Sequence, residues 1–465
     1  MNKLSRIIVL FVFSILTNYA LAQDKHIKPN FIIILADDLG YGDVGFTGST
    51  QIKTPHIDAL ANAGVTFTQG YVSAPVCGPS RAGLMTGRNQ VSFGFDNNPI
   101  VDLPQFDENF VGLPVDETTI ADRLAELGYV NGLIGKWHLG EAEHFHPLKR
   151  GFHEFWGYLG GGHNYFANQP NGKPYPYKIL CNYKEPQPIT YITDDKGDEC
   201  VDFIRRHKDE PFFLYASFNA PHAPMQATEE DLKLYAHIKD EKRRTYCAMV
   251  HRLDVNVGRI MKELKRQKID ENTVVVFFSD NGGPCHHNAS LNMPLRGAKG
   301  TLLEGGIRVP FVMSWPEQLK AGVEYNYPVS SLDLTPTFVA LAGGTVDNKA
   351  RLDGVNIFPF INGDEAKRPH EEMLWRFTIS AGIREGDWKL IRMPDRLPML
   401  YNVKEDVSEQ NDVADQHRER VERMLKKLGD WDISRPQVLY LEGNKWRREQ
   451  VDLYDRKYQL VQPQD

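Results

Sequence analysis

The chain has 465 residues, 41% hydrophobic and 25% charged, with 54 Lys and Arg against 61 Asp and Glu for a formal net charge of −7. Such proportions suit one large core or two domains and argue against a disordered chain or a membrane-helix bundle. The mild acidity gives no reason to expect nucleic acid as a partner, since phosphate recognition needs concentrated Lys and Arg.

In chain order the first element is a leader. Lys3 and Arg6 precede the apolar run Ile7 to Leu16, and Ala20-Leu21-Ala22 closes the stretch. A charged start, a short apolar middle and small residues two apart predict a cleaved secretory signal over residues 1–22. The apolar run is about half the ~20 residues that span a bilayer, and no later segment has that length and purity, so no membrane anchor is expected. The expectation is a secreted or periplasmic protein, bacterial in the style of its leader.

Asn30 to Ala36 is a continuous apolar run, the pattern of a strand buried on both faces of a parallel sheet. It stops at Asp37-Asp38-Leu39-Gly40. Thr54 as cap, Pro55 in the first turn, Ile57, Leu60 and Ala61 at helical spacing and Gly64 as stop then predict a helix. Ile120, Leu124 and Leu127 mark another, ahead of a strand near Val130 to Ile134 that runs into Gly135-Lys136-Trp137-His138. Pro211 to Ala216 reads as a strand delivering Asn219-Ala220-Pro221-His222. Met249, Val250, Leu253, Val257, Ile260 and Leu264 share one face of a long helix, and the strand Thr273 to Phe278 ends at Ser279-Asp280-Asn281.

Strands alternating with helices predict an α/β fold with a mostly parallel central sheet flanked by helices, and ligands in such sheets bind beyond the carboxyl ends of the strands. Asp37, Asp38, Lys136, His138, His222, Asp280 and Asn281 all fall at such ends. One acidic strand end is commonly a turn or a cap. Four strand ends carrying acids, cations and imidazoles predict a site.

Five cysteines are too few for a disulfide scaffold and odd in number. Cys77 precedes Pro79, a first-turn residue, which puts it at a helix N-terminus where unpaired N–H groups favour an anion. On that ground alone it is a structural thiol, half of a disulfide or a nucleophile.

Cys77-Gly78-Pro79-Ser80-Arg81, followed by Gly87-Arg88, resembles the C-x-P-S-R core of the formylglycine-dependent sulfatases, the arylsulfatase-like branch of the alkaline phosphatase superfamily. The resemblance extends over Ala36 to Gly40, Gly135 to Gly140, Ala220 to Pro224, Ser279 to Gly283, Arg296 to Gly300 and Glu304 to Pro310, in the family's order. It implies that a maturation enzyme converts Cys77 to formylglycine (3-oxoalanine), which is hydrated to a gem-diol. Cys77 is then the odd cysteine. Cys181, Cys200, Cys247 and Cys285 remain, free or paired, with Cys181–Cys200 the shortest loop.

The resemblance further implies that Asp37, Asp38, Asp280 and Asn281 hold one divalent cation together with the converted Cys77. Hard oxygen donors suit Ca²⁺, with Mg²⁺ second. Arg81 would hold the formylglycine hydrate, and Lys136 and Lys299 would neutralise the sulfate. His222 would protonate the departing alcohol, and His138 would act as base when sulfate is released.

Further on, Asp333 opens a helix to Ala342, and Leu352-Asp353-Gly354 leads towards a smaller C-terminal part. Met373 to Phe377, Ile383 to Ile391 with a turn near Gly386, and Leu400 to Val403 predict an antiparallel sheet. Val421, Leu425 and Leu428 predict its covering helix, and Lys445 to Arg448 reads as a solvated basic tail. The expected organisation is a signal over 1–22, a catalytic domain over 23–365 and a C-terminal subdomain over 366–465.

The substrate expected is a sulfated poly- or oligosaccharide, an algal one such as carrageenan or ulvan ahead of a glycosaminoglycan. Rival readings are a phosphonate or phosphate ester hydrolase on the same fold and a sulfated-glycan binding protein. Trp156, Tyr158, His163, Asn164 and Tyr165 are candidates for a sugar-facing wall, His286 and His287 for substrate contact or a second metal, and Trp375 and Arg376 for contacts from the second domain.

Overall fold

The computed structural model describes residues 28–99, 107–167, 178–185, 189–346, 351–439 and 444–463. The expected signal over 1–22 lies outside the described residues. No helix among them is long and apolar enough to cross a membrane.

The strands are β1 Asn30–Ala36, β2 Val65–Phe67, β3 Gly70–Tyr71, β4 Val130–Lys136, β5 Glu154–Tyr158, β6 Leu180–Cys181, β7 Phe212–Ser217, β8 Thr273–Ser279, β9 Phe311–Ser314, β10 Val323–Tyr325, β11 Val329–Ser330, β12 Glu372–Phe377, β13 Ser380–Glu385, β14 Trp388–Arg392 and β15 Met399–Asn402. Nine of them form one sheet in the order β10-β2-β9-β8-β1-β7-β4-β5-β6. The central strand β1 is apolar throughout because both its faces are covered. Phe31, Ile33 and Leu35 meet the helices Cys77–Thr86, Ile120–Glu126 and Leu334–Leu341. Ile32 and Ile34 meet Ile192–His207 and Glu241–Gln267 on the other side. The six apolar residues of the long helix are all buried, as their spacing requires.

β1 pairs in parallel with both β7 and β8, and β4 pairs in parallel with β7. Leu35 lies opposite Ser217 and Ala36 opposite Ser279, so four strands finish level at one edge. That register is what gathers chain segments far apart in sequence. β4 and β7 approach closely enough to require glycine at 135, where φ is +124° and a Cβ would lie 1.8 Å from the Ser217 carbonyl oxygen.

The C-terminal sheet, β12-β13-β14-β15, is antiparallel, and Gly386 turns β13 into β14 at φ +59°. Helix Arg418–Ile433 covers it with Met424 and Leu428 against Ala381, Ile383, Leu390 and Leu400.

Several expectations are corrected. The Thr54 hydroxyl makes no helix cap; it accepts from the Gly45 amide at 2.8 Å and donates to Asp58 at 3.1 Å. The basic run lies in helix Asn444–Asp455 instead of a solvated tail, because Trp446, Val451 and Tyr454 bring an apolar face onto the main core. The cysteine pairing, left open by the sequence, is decided: all five cysteines are unpaired. Cys181 is exposed on edge strand β6 while Cys200 is buried under its helix, so the short loop between them closes no bridge.

One contact joins the C-terminal part to the main domain and carries a pH signature. His370 Nε2 lies 2.9 Å from both Asp333 oxygens, and those oxygens also accept from the Ser330 and Val355 amides. Burial by itself would lower the His370 pKa, but the Asp333 carboxylate outweighs it and raises the imidazole above its ordinary 6.5. A group raised on folding contributes fully below its unfolded pKa and loses that contribution as pH rises through the folded value. Wild type is therefore expected to lose its stability advantage over His370→Gln as pH rises above about 6.5 and through the raised folded value. Denaturation midpoints of both proteins across that window check this, and a constant difference would refute it.

Candidate active site

Cys77 is the first residue of helix Cys77–Thr86, following Val76 in an extended conformation. Every residue of that helix is buried, and its last turn ends on Gly87 at φ +66°. The Gly78 amide donates to Asn98 Oδ1 at 2.8 Å, which fixes the turn beside the cysteine. Cys77 Sγ lies 3.0 Å from Lys299 Nζ and 3.6 Å from Asp37 Oδ1. Burial pushes the thiol up to about 12 despite Lys136 and Lys299, so an unconverted thiol stays protonated at neutral pH.

Three cations and three carboxylates surround it. Lys136, the last residue of β4, donates to Asp37 Oδ2 at 2.6 Å. Lys299 donates to Asp38 Oδ1 at 2.7 Å. Arg81 spans the site, with Nε and Nη2 at 2.9 and 2.8 Å from Asp280 Oδ2 and Nη2 at 3.6 Å from Asp37. Burial would raise the Asp37 carboxyl, but Lys136, His222, Arg81 and Lys299 hold it well below the usual carboxylate range. Burial and the Asp37 charge push Asp280 up to about 7 in spite of Arg81.

Asn281 donates to Asp38 Oδ1 at 2.7 Å and to the Gly282 carbonyl at 3.0 Å, while its Oδ1 is buried with no hydrogen-bond partner. An orphaned amide oxygen among crowded carboxylates is what a hard divalent cation would satisfy. Asp37, Asp38, Cys77 and His222 each place a ligand atom within 4.8 Å of the others. Asp38 and His138 hold φ at +66° and +59°, conformations that cost a non-glycine residue roughly 1–2 kcal/mol and concentrate at functional positions.

The two histidines differ in setting. His222 Nδ1 is tied to the Ala223 carbonyl at 2.6 Å, which leaves Nε2 facing Asp38 Oδ2 at 3.6 Å. His138 Nδ1 has no hydrogen-bond partner, and burial with Lys136 and Arg81 nearby keeps the ring well below its ordinary pKa. It is therefore a neutral imidazole, the form a proton acceptor needs.

All ten catalytic and metal candidates are brought together here, whereas the substrate candidates are placed differently. His163 and Asn164 are buried, with His163 Nδ1 on the Asn164 carbonyl at 2.8 Å. Their loop closes over His138, since a Cβ on Gly161 would lie 2.6 Å from His138 Nε2. Tyr158 and Tyr165 are fully buried and Trp156 nearly so, which corrects the sugar-facing wall. The Tyr165 hydroxyl is at 2.8 Å from both the Asn219 and the His222 carbonyl, buttressing the histidine loop. Trp375 is likewise packed away, donating to the Val72 carbonyl at 2.9 Å, and Arg376 is engaged by Asp96 and Asp432. His286 and His287 form a separate cluster with Glu449.

Sequence reasoning missed Tyr215, Ser217 and Lys196. Arg81 Nη1 reaches Ser217 Oγ at 2.6 Å and the Tyr215 hydroxyl at 3.3 Å. Phe213 and Tyr215 face the same core as helix Cys77–Thr86, so the two-residue period of β7 carries on to Ser217 and could have flagged it. Lys196 donates to Asn219 Oδ1 at 2.7 Å from a helix whose sequence carries no sign of it.

Residues 29–344 match the family model described as Sulfatase, and residues 298–431 match one described as N-sulphoglucosamine sulphohydrolase, C-terminal. N-acetylgalactosamine-6-sulfatase of Canis lupus familiaris is 34% identical over 358 residues, covering 73% of this chain and 67% of that protein. Arylsulfatase J of Mus musculus is 33% identical over 397 residues, covering 78% and 64%. Among solved structures, Ps i-CgsB in complex with k-i-k-neocarrahexaose superposes with a TM-score of 0.83 at 38% identity, covering 92% of this chain and 99% of that one.

Proposed function

Because this chain belongs to the sulfatase family and is a sulfuric ester hydrolase, we propose that it releases sulfate from a sulfated carbohydrate of the algal galactan class, carrageenan foremost. In this reading Cys77 is converted to formylglycine by a maturation enzyme. Asp37, Asp38, Asp280 and Asn281 hold Ca²⁺ beside it. The single observation that carries the reading is Cys77 at a helix start, 3.0 Å from Lys299 and beside Asp37, in a buried pocket where burial and the Asp37 charge push Asp280 up to about 7. The carrageenan choice is supported by the hexasaccharide bound to the 38%-identical Ps i-CgsB.

The converted residue supplies an oxygen nucleophile for sulfur, and the cation supplies Lewis acidity and orients anionic oxygens. The chain's own groups do the rest. Lys136 and Lys299 face the sulfate with preorganised positive charge, each donor of that sort being worth about a hundredfold or more in rate. Arg81, held by Ser217 and Tyr215, fixes the position of Asp280 and, in this reading, faces the converted residue 77. His222, whose Nδ1 is occupied, presents Nε2 for proton delivery to the departing alcohol oxygen. His138, neutral and with Nδ1 unpartnered, accepts a proton when sulfate leaves. A leader over 1–22 would place the protein outside the cytoplasm, where such glycans occur.

The test is sulfate release from defined carrageenan, ulvan and glycosaminoglycan oligosaccharides, on enzyme stripped by a chelator and then refilled. Release from carrageenan oligosaccharides is expected, abolished by stripping and restored better by Ca²⁺ than by Mg²⁺. Release from glycosaminoglycans alone, or a preference for phosphate esters, would sink the substrate assignment.

A further inference from the structure

His286, His287 and Glu449 take no part in the chemistry above. We infer that these three side chains form a second metal site, for a divalent transition ion of the zinc class, tying helix Asn444–Asp455 to the loop that follows Asn281. His286 and His287 lie on the single turn Cys285–Asn288, and each of the three side chains offers a ligand atom within 4.8 Å of the others. Glu449 Oε1 is 3.3 Å from His287 Nε2 and 4.0 Å from His286 Nε2. Ligands at zinc distances of about 2.0–2.1 Å in tetrahedral geometry stand roughly 3.4 Å apart. The Glu449–His287 separation already matches, the Glu449–His286 separation needs closure by about half an ångström, and the two imidazoles place their ligand atoms within 4.8 Å of each other. The second observation is His286 itself, whose ring nitrogens are both buried with no hydrogen-bond partner. A ring placed so, beside a second imidazole at 4.2 Å between centroids and a carboxylate, has donors that a divalent ion would satisfy.

The donor chemistry separates this site from the first. Two imidazoles and one carboxylate select zinc-class ions, whereas the oxygen donors near Cys77 select Ca²⁺ or Mg²⁺. Three protein ligands leave a fourth position open, and His286 also lines a cavity of about 360 Å³ with Arg243, Tyr458 and Gln459. The location gives the site a use. The Tyr454 hydroxyl accepts from the Leu302 amide at 2.9 Å, and Leu453 and Trp446 pack near Gly300, next to Lys299. An ion here would clamp the helix that backs the Lys299 loop to the segment that follows Asp280 and Asn281.

The full-length protein, stripped and then saturated with Ca²⁺, is titrated with Zn²⁺ by calorimetry, with elemental analysis after desalting. One zinc per chain is expected, bound at micromolar or tighter concentration and not displaced by excess Ca²⁺. His287→Ala and Glu449→Gln should each weaken it by at least about tenfold. His287 is 59% exposed and Glu449 27%, so neither change should prevent folding, which circular dichroism verifies. Failure of wild type to take up zinc, unchanged zinc affinity in both variants, or zinc lost to Ca²⁺ would each overturn the site and leave a histidine–glutamate ion pair.

Discussion

Cys77→Ala is expected to lower sulfate-ester turnover by at least about 10³-fold while leaving the fold and substrate binding largely intact. The residue is small and enclosed, and losing its Sγ costs on the order of 1 kcal/mol in packing. Lys299 keeps Asp38 at 2.7 Å, Lys136 keeps Asp37 at 2.6 Å and Arg81 keeps Asp280, so no buried charge is stranded. Activity and fold therefore separate in this variant. Kinetics on an aryl sulfate measure the first, and a thermal melt measures the second. In active wild type the peptide carrying residue 77 should be lighter by about 18 Da, the difference between CH₂SH and CHO. Near-normal turnover in Cys77→Ala, or full activity with an unconverted peptide, would defeat the proposed nucleophile.

The largest structural effect is expected at Lys389. This buried lysine of β14 donates to Glu304 Oε1 at 2.8 Å and lies 3.0 Å from Glu409 Oε1, with all three side chains fully enclosed. Tyr71 donates to Glu304 Oε2 at 2.6 Å, Arg384 reaches Tyr71, and the Glu304 amide donates to Glu409 Oε2 at 2.6 Å. Burial opposes ionisation of both carboxyls. Lys389, Arg308 and Arg384 nevertheless hold Glu304 down to about 2, while burial leaves Glu409 up at about 7. Lys389→Met removes the cation the two carboxylates share, and breaking a buried pair on one side costs about 3–5 kcal/mol. That is a large part of the ~5–15 kcal/mol that holds an ordinary domain together. Chemical denaturation of Lys389→Met should show it, and adding Glu409→Gln should recover part of the loss. A change near zero would mean that the trio is not the brace described.

Local composition made much of the architecture legible. β1, β7 and β8 are continuous apolar runs because each is covered on both faces, and the long helix announced its buried stripe through six residues at helical spacing. Gly386 marked its turn and Met373 to Phe377 its strand. The short strands β2, β3, β6, β10 and β11, of two or three residues each, were not legible, since so short a segment has no period to read. Nor was the helix Asn444–Asp455, whose charged sequence hides the apolar face that Trp446, Val451 and Tyr454 turn to the core.

By itself the sequence determined that acids, lysines and histidines stand where buried strands end, and which cysteine has a motif around it. Those are local properties, carried by residue type and spacing within a few turns of chain. Only the tertiary structure decided who meets whom. The parallel register of β1, β7 and β8 brings Ser217 and Tyr215 under Arg81, folding buries the sugar-contact candidates Tyr158, Tyr165 and Trp375, and the C-terminal helix sets Glu449 against His286 and His287. Such encounters depend on how faces pack across a hundred residues or more of intervening chain, and no local pattern records them.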